Sequence, residues 1–486
     1  MKTGASPFHR SIARIPVIPV MMITPTETVF FRTARATAGV LIAIAMTVAA
    51  SAQAYAQANL PVVRDAEIEA LVRDYARPIF RAAGLSKSGI DIILINDTSF
   101  NAFVAGRRMF INTGALMQAE TPNEIIGVIA HEAGHLAGGH QERLRDQLAR
   151  AQTMAIVAGL LGLGAIAAGA ASDSRELAQA GGGIAMGGGE FARRGLLGYQ
   201  RSEETTADRS AITYLEATGQ SAKGMLKTFG RFQNALSLSG TRVDPYQVSH
   251  PMPRDRIANL ETLAKTSKYY DVTDSPTLQQ RHDMMRAKIA VFTQGQSAAA
   301  RLFRKDPKGI ASQYGDTIAT YLYGNLKSAQ KKVDALIKLQ PKNPYFQELR
   351  GDILMKANKP KEAAEAYRSA VRLDPVKSGI LRISLGQALI ASGDPASLKK
   401  AVTEISDALE RDRENSAGYR YLAQAYGQLG EIPQAELATA EGYYYSGAYQ
   451  DAKIFAMRAQ TKLKRGEPGW VRAQDIINYK IPKKKS

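Results

Sequence analysis

Pro341 and Pro375 stand 34 residues apart, and so do Ala329 and Ala363. A fixed period of this length constrains the chain more than any other feature. Each unit is a pair of short helices that cannot bury its apolar face alone and must stack on its neighbours. The clearest unit runs from Pro344 to Pro375. Gly351 takes a small mid-helix position in it, Ala363 the tight contact between helices, and Tyr367, Ala370 and Pro375 close it. Leu385-Gly386 mark a second unit, and Leu422-Ala423 with Tyr426 and Ala435 a third, the spacing drifting to 35 and 37. Three units in register behind a degenerate first one predict an all-α solenoid over 309–475. Its concave side suits a peptide or a protein partner.

The period is that of tetratricopeptide repeats. Ahead of it, from Asn59 to about Lys268, helix and strand signals mix. Residues 63–83 place Ile68, Leu71, Val72, Tyr75 and Ile79 on one helical face. Ile92–Ile95 is a short apolar run, a buried strand stopped by Asn96-Asp97. Phe100–Val104 and Met109–Asn112 follow as strands with Gly106 as their turn. The class is α+β, helix-rich with a small β-sheet, over 57–270. A helical linker is expected at 271–308, and a basic tail at 476–486, in which Lys483-Lys484-Lys485 form a solvated end.

The beginning of the chain has a different character. Residues 1–35 carry five basic residues (Lys2, Arg10, Arg14, Arg32, Arg35) against Glu27 alone. An uncharged run from Ala36 to Ala50 comes next, then the small-residue stretch SAQAYAQA. Basic flank, short apolar core and small-residue exit are the parts of a secretory signal, placed at 1–56 with cleavage near Ala56. Export of the chain is expected. The formal net charge of +18 then falls to roughly +14. The basic residues are dispersed and form no nucleic-acid module, so nucleic acid is not an expected partner.

There is no cysteine. Disulfide frameworks, thiolate metal sites and cysteine nucleophiles are excluded together, and any metal must be held by His, Asp or Glu. Three of the six histidines lie within ten residues, His131, His135 and His140 in HEAGHLAGGH. The helix beneath them is written in Thr121 as N-cap, Pro122 at the first position and Glu124 completing a capping box. Ile125, Ile126, Val128, Ile129, Ala130 and Ala133 bury it. Four residues turn a helix by about 400°, so His131 and His135 project from nearly one face and can reach one cation. Glu132 borders the same site, placed as a base rather than as a ligand.

A third protein ligand is still required. One reading extends the motif, with Gly138 in the expected glycine slot, but the next ligand position is Gln141. On a continuing helix His140 would lie about 900° from His131, on the opposite side. The other reading uses RSEETTADRSA, where Glu204 and Asp208 share a helical face, one to bind metal and one to orient a ligand histidine.

HEAGHLAGGH followed by SEETTAD resembles the gluzincin metallopeptidases of the HtpX and prenyl-protein-protease type, which pair H-E-x-x-H with a later E-x-x-x-D. With repeats behind the peptidase domain, the order of parts is similar to the periplasmic BepA-like branch. Asn101-Ala102-Phe103, and Ser249-His250-Pro251 followed by Arg254-Asp255-Arg256-Ile257, match as well. The resemblance implies a zincin-type domain with one Zn2+ held by His131, His135 and Glu204. It further implies Glu132 as catalytic base, Asp208 in support of a ligand, and His250 and Arg256 near the cleft. His250 would either stabilise the oxyanion or fill the open metal position and hold the enzyme latent. Thr206 departs from the pattern, which commonly has a second acid there.

The strand from Phe103 to Asn112, as a sheet edge entered through Asn101, Ala102 and Phe103, would pair with an extended substrate. The expected function is a zinc-dependent endopeptidase for unfolded or misassembled envelope and outer-membrane proteins. Its repeats would dock substrate or the outer-membrane assembly machinery. The alternative is a latent peptidase that works mainly as a periplasmic chaperone or scaffold. Between the two halves of the site, Ala151–Ser172 carries no charge over 22 residues, enough to span a bilayer. A single crossing would put Glu204 on the far side from His131. An insert at 151–190 is therefore expected as a Gly/Ala-rich hairpin that plugs the cleft, packs on the core or touches a membrane surface.

Overall fold

The apolar face at 63–83 becomes helix α1 (Ala66–Ala82), whose N-cap Asp65 accepts a hydrogen bond from the Ile68 amide. The structure, a computed structural model, describes residues 61–172, 174–239, 250 and 254–481. The expected signal peptide at 1–56 and Lys483–Lys485 lie outside the described residues. Four strands make one mixed sheet: β1 (Val62–Val63), β2 (Asp91–Ile95), β3 (Ala102–Ala105) and β4 (Arg108–Asn112), in the order β1-β2-β4-β3. β2 and β4 are parallel with Leu94 opposite Ile111, while β3 returns antiparallel on β4 through the turn at Gly106. Only β3 borders the sheet on this side. Met109–Asn112, expected along the edge with Phe103, is interior.

Among the described residues, six helices follow in the first half of the fold: α2 (Thr113–Gln118), α3 (Pro122–Gly138), α4 (His140–Ala171), α5 (Arg175–Ala217), α6 (Lys223–Ser239) and α7 (Arg254–Lys265). Leu71, Val72 and Ile79 of α1, Leu94 and Met109 of the sheet, Ile125, Val128 and Ile129 of α3, and Met225 and Phe229 of α6 share one core. Each such side chain contributes ~1.5–3 kcal/mol on burial. The start of α3 differs from expectation. Thr121 is its N-cap but makes no side-chain cap bond. The Glu124 carboxylate is occupied elsewhere, accepting from the Glu120 amide at 3.0 Å and pairing with Lys227 at 3.0 Å and Arg231 at 2.7 Å.

α4 and α5 form a long antiparallel hairpin; the end of α5 packs on the core through Ala211, Ile212 and Leu215, but apolar side chains further out on α4 do not. Ile156, Leu160, Leu161 and Leu163 are 62–65% exposed. α8 (Pro276–Gln294) fills the stretch expected as a linker, but it is buried from two sides. Met285 and Ile289 belong to the first core, and Met284, Ala287 and Val291 pack with Tyr314 and Phe346 of the following helices.

From Ile310 to Asn478 the helices come in consecutive pairs. In the pair Pro344–Lys356 and Pro360–Leu373, a Cβ on Gly351 would fall 2.5 Å from the Tyr367 ring, so only glycine admits this approach. The repeats also grip the first domain. Tyr314 donates to Glu67 Oε2 at 2.8 Å, Arg64 pairs with Asp412 at 2.6 Å, and Arg108 with Glu414 at 2.8 Å.

Candidate metal centre

α3 carries His131 and His135 one turn apart, and their Nε2 atoms lie 3.0 Å from each other. Gly134, between them in the chain, lets α5 cross at contact distance. A Cβ there would stand 2.9 Å from the carbonyl oxygen of Ala207. That crossing delivers Glu204, whose Oε2 is 3.3 Å from His131 Nε2 and whose Oε1 is 3.3 Å from His135 Nε2. One turn on, Asp208 Oδ1 reaches His131 Nδ1 at 3.0 Å. His250 completes the group, its Nδ1 3.0 Å from Glu204 Oε1 and 3.3 Å from His131 Nε2. One donor atom from each of His131, His135, Glu204 and His250 lies within 4.8 Å of the others, and all four residues are buried.

Glu132 is fully buried beside this cluster, and among the described residues neither of its carboxylate oxygens accepts a hydrogen bond. Its Oε1 lies 3.4 Å from His250 Nε2. Burial pushes its carboxyl above the usual range. Glu204 is held well below that range, burial opposing but outweighed by the neighbouring histidines. Burial likewise opposes ionisation of Asp208, but the Arg256 hydrogen bond keeps it low. His131 is raised to about 9 because Asp208 and Glu204 outweigh the cost of its burial.

Arg256 lies against the two acids of the cluster. Its Nε donates to Asp208 Oδ2 at 2.5 Å and Nη2 to Oδ1 at 2.8 Å, while Nη1 pairs with Glu204 Oε2 at 2.9 Å. A guanidinium so engaged braces the two acids of α5. Phe229 lies against both the His131 ring and the Arg256 guanidinium. No spacing rule points to it. His140 is not on the opposite side of α3, because the helix stops at Gly139 and restarts at His140. Its Nδ1 lies 2.9 Å from His135 Nδ1, and its Nε2 2.8 Å from Glu203. Glu203, adjacent in sequence to Glu204, was not singled out from the sequence. Ala102 and Phe103 lie on β3, which packs beside α3, and the Asn101 carbonyl accepts from the Asn112 amide at 3.0 Å. Asn101, Ala102 and Phe103 thus flank the cluster's helix without joining the cluster.

The donor set fits a divalent cation. Asp208 faces Nδ1 of His131, which leaves Nε2 of that ring as a lone pair turned toward His135 Nε2 and the Glu204 carboxylate. Lone pairs converging at such distances repel unless a proton or a cation lies among them, and the raised pKa of His131 shows that the cluster favours positive charge there.

Residues 62–264 match the model of peptidase family M48. With that match, the helix-borne H-E-x-x-H makes the chain a metalloprotease. Residues 324–377 match the tetratricopeptide repeat, so an M48 peptidase domain precedes repeats in one chain. The chain is similar to the beta-barrel assembly-enhancing protease of Escherichia coli (strain K12), 23% identical over 420 residues, 84% of this chain and 82% of the relative. A putative beta-barrel assembly-enhancing protease of Vibrio cholerae serotype O1 is 27% identical over 308 residues, 61% of this chain and 60% of that one. Metalloprotease YcaL of Escherichia coli (strain K12) is 31% identical over 154 residues, 32% of this chain and 54% of the relative.

Proposed function

We propose that this chain is a zinc-dependent endopeptidase of the cell envelope, with His131, His135 and Glu204 as metal ligands and Glu132 as general base. The convergence of four buried donor atoms beside a buried, unbonded Glu132 carboxylate carries the reading. Bound among these ligands, a zinc ion would act as Lewis acid toward water and the scissile carbonyl. Glu132 takes the proton from the attacking water and returns it to the departing amine. Asp208 orients His131, and Arg256 holds Asp208 and Glu204 in register. β3 offers an edge for an extended substrate backbone, which selects loosely folded segments over a side-chain code.

His250 supports a latent resting state. Its ring belongs to the ligand cluster itself and lies 3.4 Å from the Glu132 carboxylate, so it would fill the metal position left open for water or substrate. The leader expected at 1–56 supports export to the periplasm, and the names of the relatives support action on misassembled outer-membrane proteins with the repeats docking to their assembly machinery. The exposed leucines of the α4–α5 hairpin support contact with a membrane surface. The test is metal content with casein cleavage for three forms of the full chain. Wild type should bind one zinc, Glu132→Gln should keep it without cleaving, and His131→Ala should lose both. An active Glu132→Gln, or a His131→Ala that holds zinc normally, would overturn the assignment.

A further inference from the structure

The third histidine of HEAGHLAGGH takes no part in the ligand cluster, yet two glycines are arranged to bring it there. Gly139 adopts φ +64°, which ends α3 and folds the chain back. A Cβ on Gly138 would fall 2.2 Å from His140 Nε2 and 2.4 Å from its Cδ2, so the ring lies directly over that residue. The fold sets His140 Nδ1 at 2.9 Å from His135 Nδ1 and leaves His140 only 4% exposed. On the far edge of the ring, His140 Nε2 stands 2.8 Å from Glu203 Oε2. Arg143 donates to the same oxygen at 2.7 Å and to the Tyr199 hydroxyl at 3.1 Å.

We infer that His140 is a positioning residue that fixes the tautomer and the donor strength of His135; this rests on the reading of His135 as a metal ligand given above. Nε2 of His135 faces the cluster, 3.3 Å from Glu204 Oε1. To bind a cation there the neutral ring must carry its proton on Nδ1. That proton points at His140 Nδ1, which must then accept it. The His140 proton is left on Nε2, facing the Glu203 carboxylate. This is the assignment in which His135 can ligate; His140 Nε2 meets Glu203 as a charge contact rather than an aligned hydrogen bond, and a carboxylate at that end raises the electron density at the ligand nitrogen. Glu203, braced by Arg143, sits at the root of the α4–α5 hairpin and one residue from Glu204. Both limbs of the hairpin therefore support the same ligand histidine.

The test compares zinc affinity of the full-length protein by competition with a chromophoric chelator, together with the visible spectrum of the Co2+-loaded form. His140→Leu should bind zinc ~10–100-fold more weakly, the range typical of lost outer-shell partners. His140→Asn keeps an acceptor near the position of Nδ1 and should recover part of that loss. Glu203→Gln should show a smaller loss, with an altered Co2+ spectrum. Gly138→Ala, which changes no polar group, should reproduce the His140→Leu defect. Circular dichroism of the metal-free variants reports folding, and if His140→Leu does not fold then Glu203→Gln decides. Wild-type affinity and spectrum in the folded His140→Leu or in Glu203→Gln overturns the inference. His131→Ala separates the two readings, since normal zinc binding there removes the metal centre itself rather than the role of His140.

Discussion

Asp208 Oδ1 stands 3.0 Å from Nδ1 of His131, on the ring edge turned away from Glu204, and the same carboxylate receives two hydrogen bonds from Arg256. The acid therefore holds the ring rather than the cation. Asp208→Asn keeps the shape but removes the charge, and zinc affinity should drop ~10–100-fold. Chelator competition on the purified variant measures this. Unchanged affinity would leave Asp208 a purely structural partner of Arg256.

His250 sits between Glu204 and Glu132, with contacts to both. As a cap on the ligand cluster, it should restrain the enzyme. Releasing a cap worth ~1.4 kcal/mol raises the competent fraction about tenfold. Casein cleavage by His250→Ala should rise accordingly. A fall in rate with zinc still bound would assign His250 to transition-state stabilisation instead.

Gly134 and Gly164 make a matched pair of tests. A methyl at Gly134 meets Ala207 backbone at 2.9–3.0 Å, whereas one at Gly164 meets nothing within 4 Å. Overpacking costs ~1–3 kcal/mol, and the better helix propensity of alanine returns up to ~1. Gly134→Ala should lower the melting temperature and loosen metal binding, since it parts α3 from α5. Gly164→Ala should melt no earlier than wild type. Equal behaviour of the two variants would contradict the close crossing.

His282 is buried on α8, its Nε2 2.9 Å from the Ala119 carbonyl and its Nδ1 3.0 Å from the Tyr75 hydroxyl. Burial lowers it to about 4. The folded protein keeps the ring neutral while the unfolded chain protonates it below its ordinary value near 6.5. Stability from this group is therefore complete above that value and is lost as pH falls toward about 4. By pH 5 the loss should reach ~2 kcal/mol. Urea unfolding at pH 7 and pH 5 should show it in wild type and not in His282→Gln.

What the sequence made legible was local. His131, His135, Glu204 and Asp208 follow from four-residue spacing on helices, and the repeats from a period of 34. His250 reaches the cluster from outside any helix period, so spacing said nothing of it and only the resemblance pointed there. His140 lies opposite His131 only on a continuing helix, and the helix ends at Gly138-Gly139, where paired glycines are a stop signal. The Thr121–Glu124 capping box failed for a tertiary reason: Lys227 and Arg231 arrive from α6 and claim the carboxylate. β1 is two residues long, too short for any alternation to register.

One helix serving two interiors ties the fates of both halves of the molecule. With Met285 and Ile289 in one core and Met284 and Val291 in the other, α8 cannot leave either without opening both. Melting should then be a single cooperative event across peptidase and repeats, and a chain cut before Pro276 would lose a wall of its catalytic half along with the solenoid.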